Sequence, residues 1–106
     1  MISSHILDTN LGKPAADVSI QLFDEDGKLL GSAKTNADGR VTDFGLKDFK
    51  KGAYSLEFAT AEYFKTLGTE TFFPKAVIHF YVKDASQHFH IPLLISPFAY
   101  STYRGS

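Results

Sequence analysis

The stretch His88-Phe-His-Ile-Pro-Leu-Leu-Ile-Ser-Pro-Phe-Ala-Tyr-Ser-Thr-Tyr-Arg-Gly-Ser106 decides how the chain is read. It parses as a strand, a break at Ser96-Pro97 and a second strand. Successive side chains of an extended segment point to opposite faces, so Phe89, Ile91, Leu93 and Ile95 form one apolar face fit for a core. His88, His90, Pro92 and Leu94 form the other, which puts two imidazoles where packing has no use for them. Chain ends are usually frayed. Tyr103-Arg104-Gly105-Ser106 instead brings an aromatic ring, a guanidinium and a glycine directly after an apolar strand, a composition that predicts part of a site.

The same period-2 pattern recurs upstream. Val18, Ile20 and Leu22 alternate with Ser19 and Gln21, and Tyr54, Leu56 and Phe58 alternate with Ser55 and Glu57. Ser3–Asp8 reads as a short strand with His5 and Leu7 on one face, and Ala76–Lys83 as a strand rich in β-branched and aromatic residues. Asp24-Glu25-Asp26-Gly27 and Asn36-Ala37-Asp38-Gly39 are hairpin turns, because Gly at their ends tolerates positive φ. The acidic turn has the wrong spacing for a calcium loop. Arg40 follows the second turn directly, at the rim of a sheet. One segment breaks the pattern: Thr60–Leu67 is predicted to be a short helix, with Thr60 as N-cap, Tyr63, Phe64 and Leu67 at helical spacing, and Gly68 beyond its end. About eight short strands, one helix and turn signals every 8–12 residues or so predict an all-β fold, a two-sheet antiparallel β-sandwich.

At 106 residues the chain is expected to be a single domain spanning 1–106. A net charge of −1 gives no support for a nucleic-acid or anionic-membrane partner, and no apolar run approaches membrane-spanning length. With no cysteine, disulfides, thiol nucleophiles and Cys-based zinc sites are excluded. The first residues lack a basic n-region and an apolar h-region, so no signal peptide is expected and a cytoplasmic location is the default.

The chemistry-bearing residues are few. His88 and His90 stand opposite their strand's apolar side, and His5 approaches His90 if the first and penultimate strands are neighbours. His79, mid-strand between Ile78 and Phe80, reads as structural or surface. His-x-His is also a metal-ligand spacing to which His5 could add a third nitrogen, but no carboxylate stands in a comparable position, and no metal or other cofactor is expected. Phosphate loops, serine elbows and carboxylate pairs are absent. What remains is a His–His–Arg set, suited to activating water and stabilising developing negative charge.

These residues resemble the transthyretin-like 5-hydroxyisourate hydrolases over essentially the full chain. The resemblance is carried by Ser4-His5-Ile6-Leu7-Asp8, Gly12-Lys13-Pro14-Ala15, Thr35-Asn36-Ala37-Asp38-Gly39-Arg40, Phe72-Phe73-Pro74, His88-Phe89-His90-Ile91-Pro92-Leu93-Leu94 and the terminal Tyr103-Arg104-Gly105-Ser106. It implies a transthyretin-like sandwich assembled as a homotetramer, two dimers face to face, with active sites at the dimer–dimer interface. It also implies hydrolysis of the cyclic amide of 5-hydroxyisourate, a small-molecule substrate in urate degradation, with His5, Arg40 and His90 catalytic. Tyr103, and less directly Arg104, Gly105 and Ser106, are then expected to contact substrate and shape the pocket. His88 is expected to be a neighbour at the pocket edge. The competing expectation is a transthyretin-type carrier of thyroid hormone or another small aromatic ligand, against which the polar set His5, Arg40 and Tyr103 argues.

Overall fold

In the computed structural model, which describes residues 1–106, nine strands and one helix follow in the order β1 (Ile2–Asp8), β2 (Lys13–Pro14), β3 (Ser19–Asp24), β4 (Leu29–Lys34), β5 (Arg40–Val41), β6 (Gly52–Phe58), α1 (Thr60–Thr66), β7 (Ala76–Val82), β8 (Phe89–Ser96) and β9 (Ala99–Thr102). One sheet runs β2-β1-β8-β9 with β5 added against β1, and the other runs β4-β3-β6-β7. The alternating residues read from the sequence make the core between them. Ile20, Leu22, Leu56 and Phe58 from one sheet, and Ile6, Leu93 and Ile95 from the other, are at most 1% exposed. Each such side chain contributes on the order of 1.5–3 kcal/mol by leaving water, so the sandwich rests on this layer rather than on any cross-link.

The expected antiparallel pairing holds for every strand pair but one. β1 and β8 run parallel, with Ser3 opposite His90 and His5 opposite Pro92. These strands come from the two ends of the chain, and side-chain period carries no information about strand direction. The consequence is specific: Ser3 and His5 on β1 share a face with His90 and Pro92 on β8.

β5 is placed by its turn. Asn36 Oδ1 accepts hydrogen bonds from the Asp38 and Arg40 backbone N–H groups, and Gly39 takes φ +73°. The Gly39 carbonyl accepts from Ile6 N–H at 2.8 Å, and a Cβ at this position would stand 2.5 Å from the Ile6 carbonyl oxygen. Only glycine therefore combines the left-handed backbone with this close approach. The hairpin lies against β1, and Arg40 becomes the cross-strand partner of His5.

α1 forms where predicted, with two differences. Ala59, not Thr60, occupies the N-cap and makes no side-chain cap, while Thr60 is the first helical residue and is buried. Leu67 is the C-cap and is largely exposed rather than packed, so the buried face is Thr60, Tyr63 and Phe64. Gly68 follows at φ +67°, and the Gly68 and Thr69 N–H groups bond back to the Lys65 and Phe64 carbonyls, closing the helix as a left-handed glycine does. The Tyr63 hydroxyl donates to Asp8 Oδ2 at 2.7 Å, and Asp8 Oδ1 accepts from the Asn10 and Leu11 N–H groups. Burial, then the hydrogen bond to Asp8 and its negative charge, push the Tyr63 hydroxyl well above the usual tyrosine range. This contact ties the helix to the end of β1. The acidic turn is a turn: Asp24 Oδ1 accepts from Asp26 and Lys28 N–H groups, with Gly27 at φ +82°. No helix is long and apolar enough to cross a membrane.

Candidate active site

The parallel register brings Ser3 beside His90, and the Ser3 hydroxyl lies 2.7 Å from both His90 Nδ1 and His88 Nε2. Ser3 is only 5% exposed, so the hydroxyl's partners are these two rings rather than bulk water. The ring centroids of His88 and His90 are 6.3 Å apart. His88 is exposed, and His90 is half-buried.

Three elements and the last residues of the chain meet here. A cleft of about 300 Å³ is lined by Met1, Ser3, Arg40, Thr42, His88, His90 and Ser106 among others. His5 does not line it but stands next along the same face of β1, opposite Arg40. Burial first, and then the charges of Arg40, His88 and His5, hold the His90 imidazole below the ordinary histidine range. The neutral, basic form of the ring is thus favoured over that of an exposed histidine.

The four terminal residues divide between two places. Gly105 N–H donates to the His90 carbonyl at 2.9 Å, and a Cβ on Gly105 would come within 2.5 Å of His90 Cδ2. The His90 ring is therefore held between the Ser3 hydroxyl and the Gly105 backbone, with Ser106 in the cleft beside it. Tyr103 and Arg104 point elsewhere. They line an adjoining groove of about 320 Å³ with Phe80, Tyr81 and Phe89, and this groove shares His90 with the cleft. The Arg104 guanidinium sits 4.7 Å from the Phe89 ring centre and donates to Gln87 Oε1. His79 lies exposed on β7 at the same groove, as its surface reading predicts.

The largest concavity, about 640 Å³, lies on the outer face of β3, β4 and β6 and contains no histidine. Its Lys75 is paired to Glu57. No three His, Cys, Asp or Glu side chains gather closely enough to hold a metal ion. His88 and His90 instead each turn a nitrogen to one hydroxyl.

Residues 2–105 match the family model described as the HIUase/Transthyretin family. The chain belongs to this family. Within the HIUase/transthyretin family, it is 43% identical to the 5-hydroxyisourate hydrolase of Caulobacter vibrioides, across 99% of this chain and 97% of that protein. The corresponding enzyme of Mesorhizobium japonicum is 44% identical, across 99% and 91%. The solved structure of Klebsiella pneumoniae 5-hydroxyisourate hydrolase superposes with a TM-score of 0.92 at 42% identity, covering 99% of this chain and 98% of that one. Sea bream transthyretin in complex with thyroxine superposes with a TM-score of 0.90 at 28% identity, covering 98% and 93%. One backbone thus serves an enzyme and a hormone-binding protein, and the fold alone does not separate them.

The sequence singles out His5, Arg40 and His90 as candidates but not Ser3, which the structure places against both imidazoles. Ser3 shares the His5 face by simple alternation, a signal present in the sequence. What linked it to the His-x-His strand was the parallel register, which alternation cannot supply.

Proposed function

We propose that this chain is a 5-hydroxyisourate hydrolase, opening the cyclic amide of its substrate to 2-oxo-4-hydroxy-4-carboxy-5-ureidoimidazoline in urate degradation. The observation that carries the reading is the half-buried His90, its pKa held down, sharing a cleft with Arg40, with His5 next to that cleft as Arg40's cross-strand partner. Full-length relatives named for this activity support it.

In the proposed reaction His90 Nε2 takes a proton from a water that His5 helps orient. The water oxygen bonds to the ring carbonyl carbon, and the Arg40 guanidinium stabilises the oxyanion that forms. The carbon–nitrogen bond then breaks, and an imidazole returns the proton to the leaving ring nitrogen. One water is consumed, and no cofactor is required. Arg40 is exposed and lines the cleft, so its charge is available to substrate rather than bound up in an ion pair.

The pocket is expected to be completed in a homotetramer of two face-to-face dimers, with the active sites at the dimer–dimer interface. Tyr103 and Tyr81, 60% and 72% exposed beside His90's second groove, and Phe98, 62% exposed, support burial of these surfaces in an assembly. A cytoplasmic location suits a chain without cysteine.

Gly105→Ala tests how tightly the terminus sets the His90 ring. Because the added methyl overlaps His90 Cδ2, the ring must move, and displacements of about 1 Å can lower turnover on the order of 100-fold. Turnover should fall at least tenfold by this reasoning, while thermal unfolding changes little, since the contact lies outside the core. Unchanged turnover would mean that the ring's position is not critical.

The transthyretin-type carrier is the second reading, favoured by the superposition on sea bream transthyretin. Loss of absorbance of freshly generated 5-hydroxyisourate, faster with protein than in buffer, supports the hydrolase. Saturable thyroid-hormone binding without any such acceleration supports the carrier and defeats the proposal.

A further inference from the structure

The Ser3 hydroxyl has one proton and touches two imidazole nitrogens at 2.7 Å each, so it donates to one ring and accepts from the other. The two rings' protonation is therefore coupled. With His88 carrying its proton on Nδ1, Ser3 donates to His88 Nε2, and His90 must present Nδ1–H to the Ser3 oxygen. That arrangement leaves the His90 Nε2 lone pair free. The opposite arrangement blocks Nε2 with a proton. Ser3 is thus in a position to select the tautomer of the base.

We infer that Ser3 is a positioning residue that joins His90 to His88 as a proton relay, letting His90 act as base and acid without accumulating as an imidazolium. This deepens the hydrolase reading above and rests on it. As His90 Nε2 takes a proton from water, its Nδ1 proton passes to the Ser3 oxygen, and the Ser3 proton passes to His88 Nε2. His90 is then neutral and carries Nε2–H, and His88 is the imidazolium. When the ring nitrogen leaves, His90 gives it the Nε2 proton, and the relay runs backward to its starting state. No proton is lost and no further reactant is needed.

The surroundings favour moving the charge in this direction. His90 is half-buried, and the groups facing it are Arg40 from β5, His5 from β1 and His88 just before β8, with Met1 and Ser106 also lining the cleft. A positive charge on His90 is opposed by that burial and by Arg40, whereas His88 is exposed and its imidazolium can be hydrated. Ser3, almost fully buried, keeps competing water from the link.

The test combines kinetics with nitrogen-15 NMR of the imidazoles. Ser3→Ala should lower kcat for ring opening by about 10–100-fold, with KM within about threefold of wild type, because tautomer and orientation are lost while substrate contacts remain. Ser3→Thr, which keeps the hydroxyl on the same strand face, should restore most of kcat. His88→Gln should also slow turnover, and Ser3→Ala with His88→Gln should be little worse than either alone, as expected for members of one unit. Full kcat in Ser3→Ala, or losses that multiply in the double variant, would overturn the relay. NMR requires no substrate: in the wild type His90 should show a protonated Nδ1 and a bare Nε2, and Ser3→Ala should lose this bias. A wild-type protein with the predicted tautomers but no hydrolysis would sink the hydrolase reading and leave the coupling standing. Hydrolysis with His90 in the Nε2–H tautomer at rest would do the reverse.

Discussion

Arg40→Ala should lower kcat/KM for ring opening by about 10²–10³-fold, the usual cost of removing one donor aimed at a developing oxyanion. Two features make the expected loss large. Arg40 reaches the cleft because Gly39 lets the second hairpin lie against β1, and no other lysine or arginine lines that cleft. It has no carboxylate partner among the ion pairs of the chain, so its removal leaves no unpaired buried charge and should hardly change the unfolding temperature. The variant should also shift the pH profile. After burial, the Arg40 charge is the next cause holding the His90 pKa down. Removing it lets that pKa rise, so the acidic limb of the residual activity should move to higher pH than in wild type. A residual profile with the wild-type limb would mean that Arg40 and His90 do not face one another.

His90→Ala should be at least as damaging, with a loss of about 10²–10⁴-fold, the range general acid–base groups supply. Here too the sign of the pH dependence follows from the environment. Burial and the charges of Arg40, His88 and His5 lower the pKa of His90, so its neutral, basic form persists below the ordinary histidine value of about 6.5. Wild-type kcat/KM should therefore hold its plateau to a pH below that value and fall only as His90 becomes protonated. A plateau that already fails above pH 7 would show that another group is the base. His5→Ala is expected to cost less, because His5 stands next to the cleft rather than lining it.

Much of the fold was legible because most strands bury one face only. Val18, Ile20, Leu22, Leu56 and Phe58 alternate cleanly with polar neighbours, and all five are buried as expected. The turns were legible from Asp24 and Asn36 with Gly27 and Gly39, whose positive φ values the structure shows. Strand direction was not legible. The β1–β8 pair is parallel, and nothing in the alternation of Ser3–Asp8 or Phe89–Ile95 distinguishes that from an antiparallel pair. The N-cap was misplaced by one residue, since Thr60 turns inward and Ala59 caps without a side-chain bond.

The site was legible in part for the same reason. His5 and His90 stood out as histidines on strands and Arg40 as the residue directly after a tight turn, and the resemblance to a known family gathered them as candidates. The structure adds what depends on register and close packing: Ser3 between two imidazoles, and Gly105 against the His90 ring. It also separates Tyr103 and Arg104 from the histidine cleft, into a groove open beside the edge strands β7 and β9. The expectation that they contact substrate therefore depends on how copies of the chain assemble, which no local pattern encodes.

Hydrolysis of freshly generated 5-hydroxyisourate, followed by its ultraviolet absorbance with wild type, Arg40→Ala and buffer side by side, tests the proposed activity most directly. Wild-type protein should remove the substrate far faster than buffer, and Arg40→Ala should return most of the way to the spontaneous rate. A wild-type rate no faster than buffer, or an Arg40→Ala variant as fast as wild type, would contradict it.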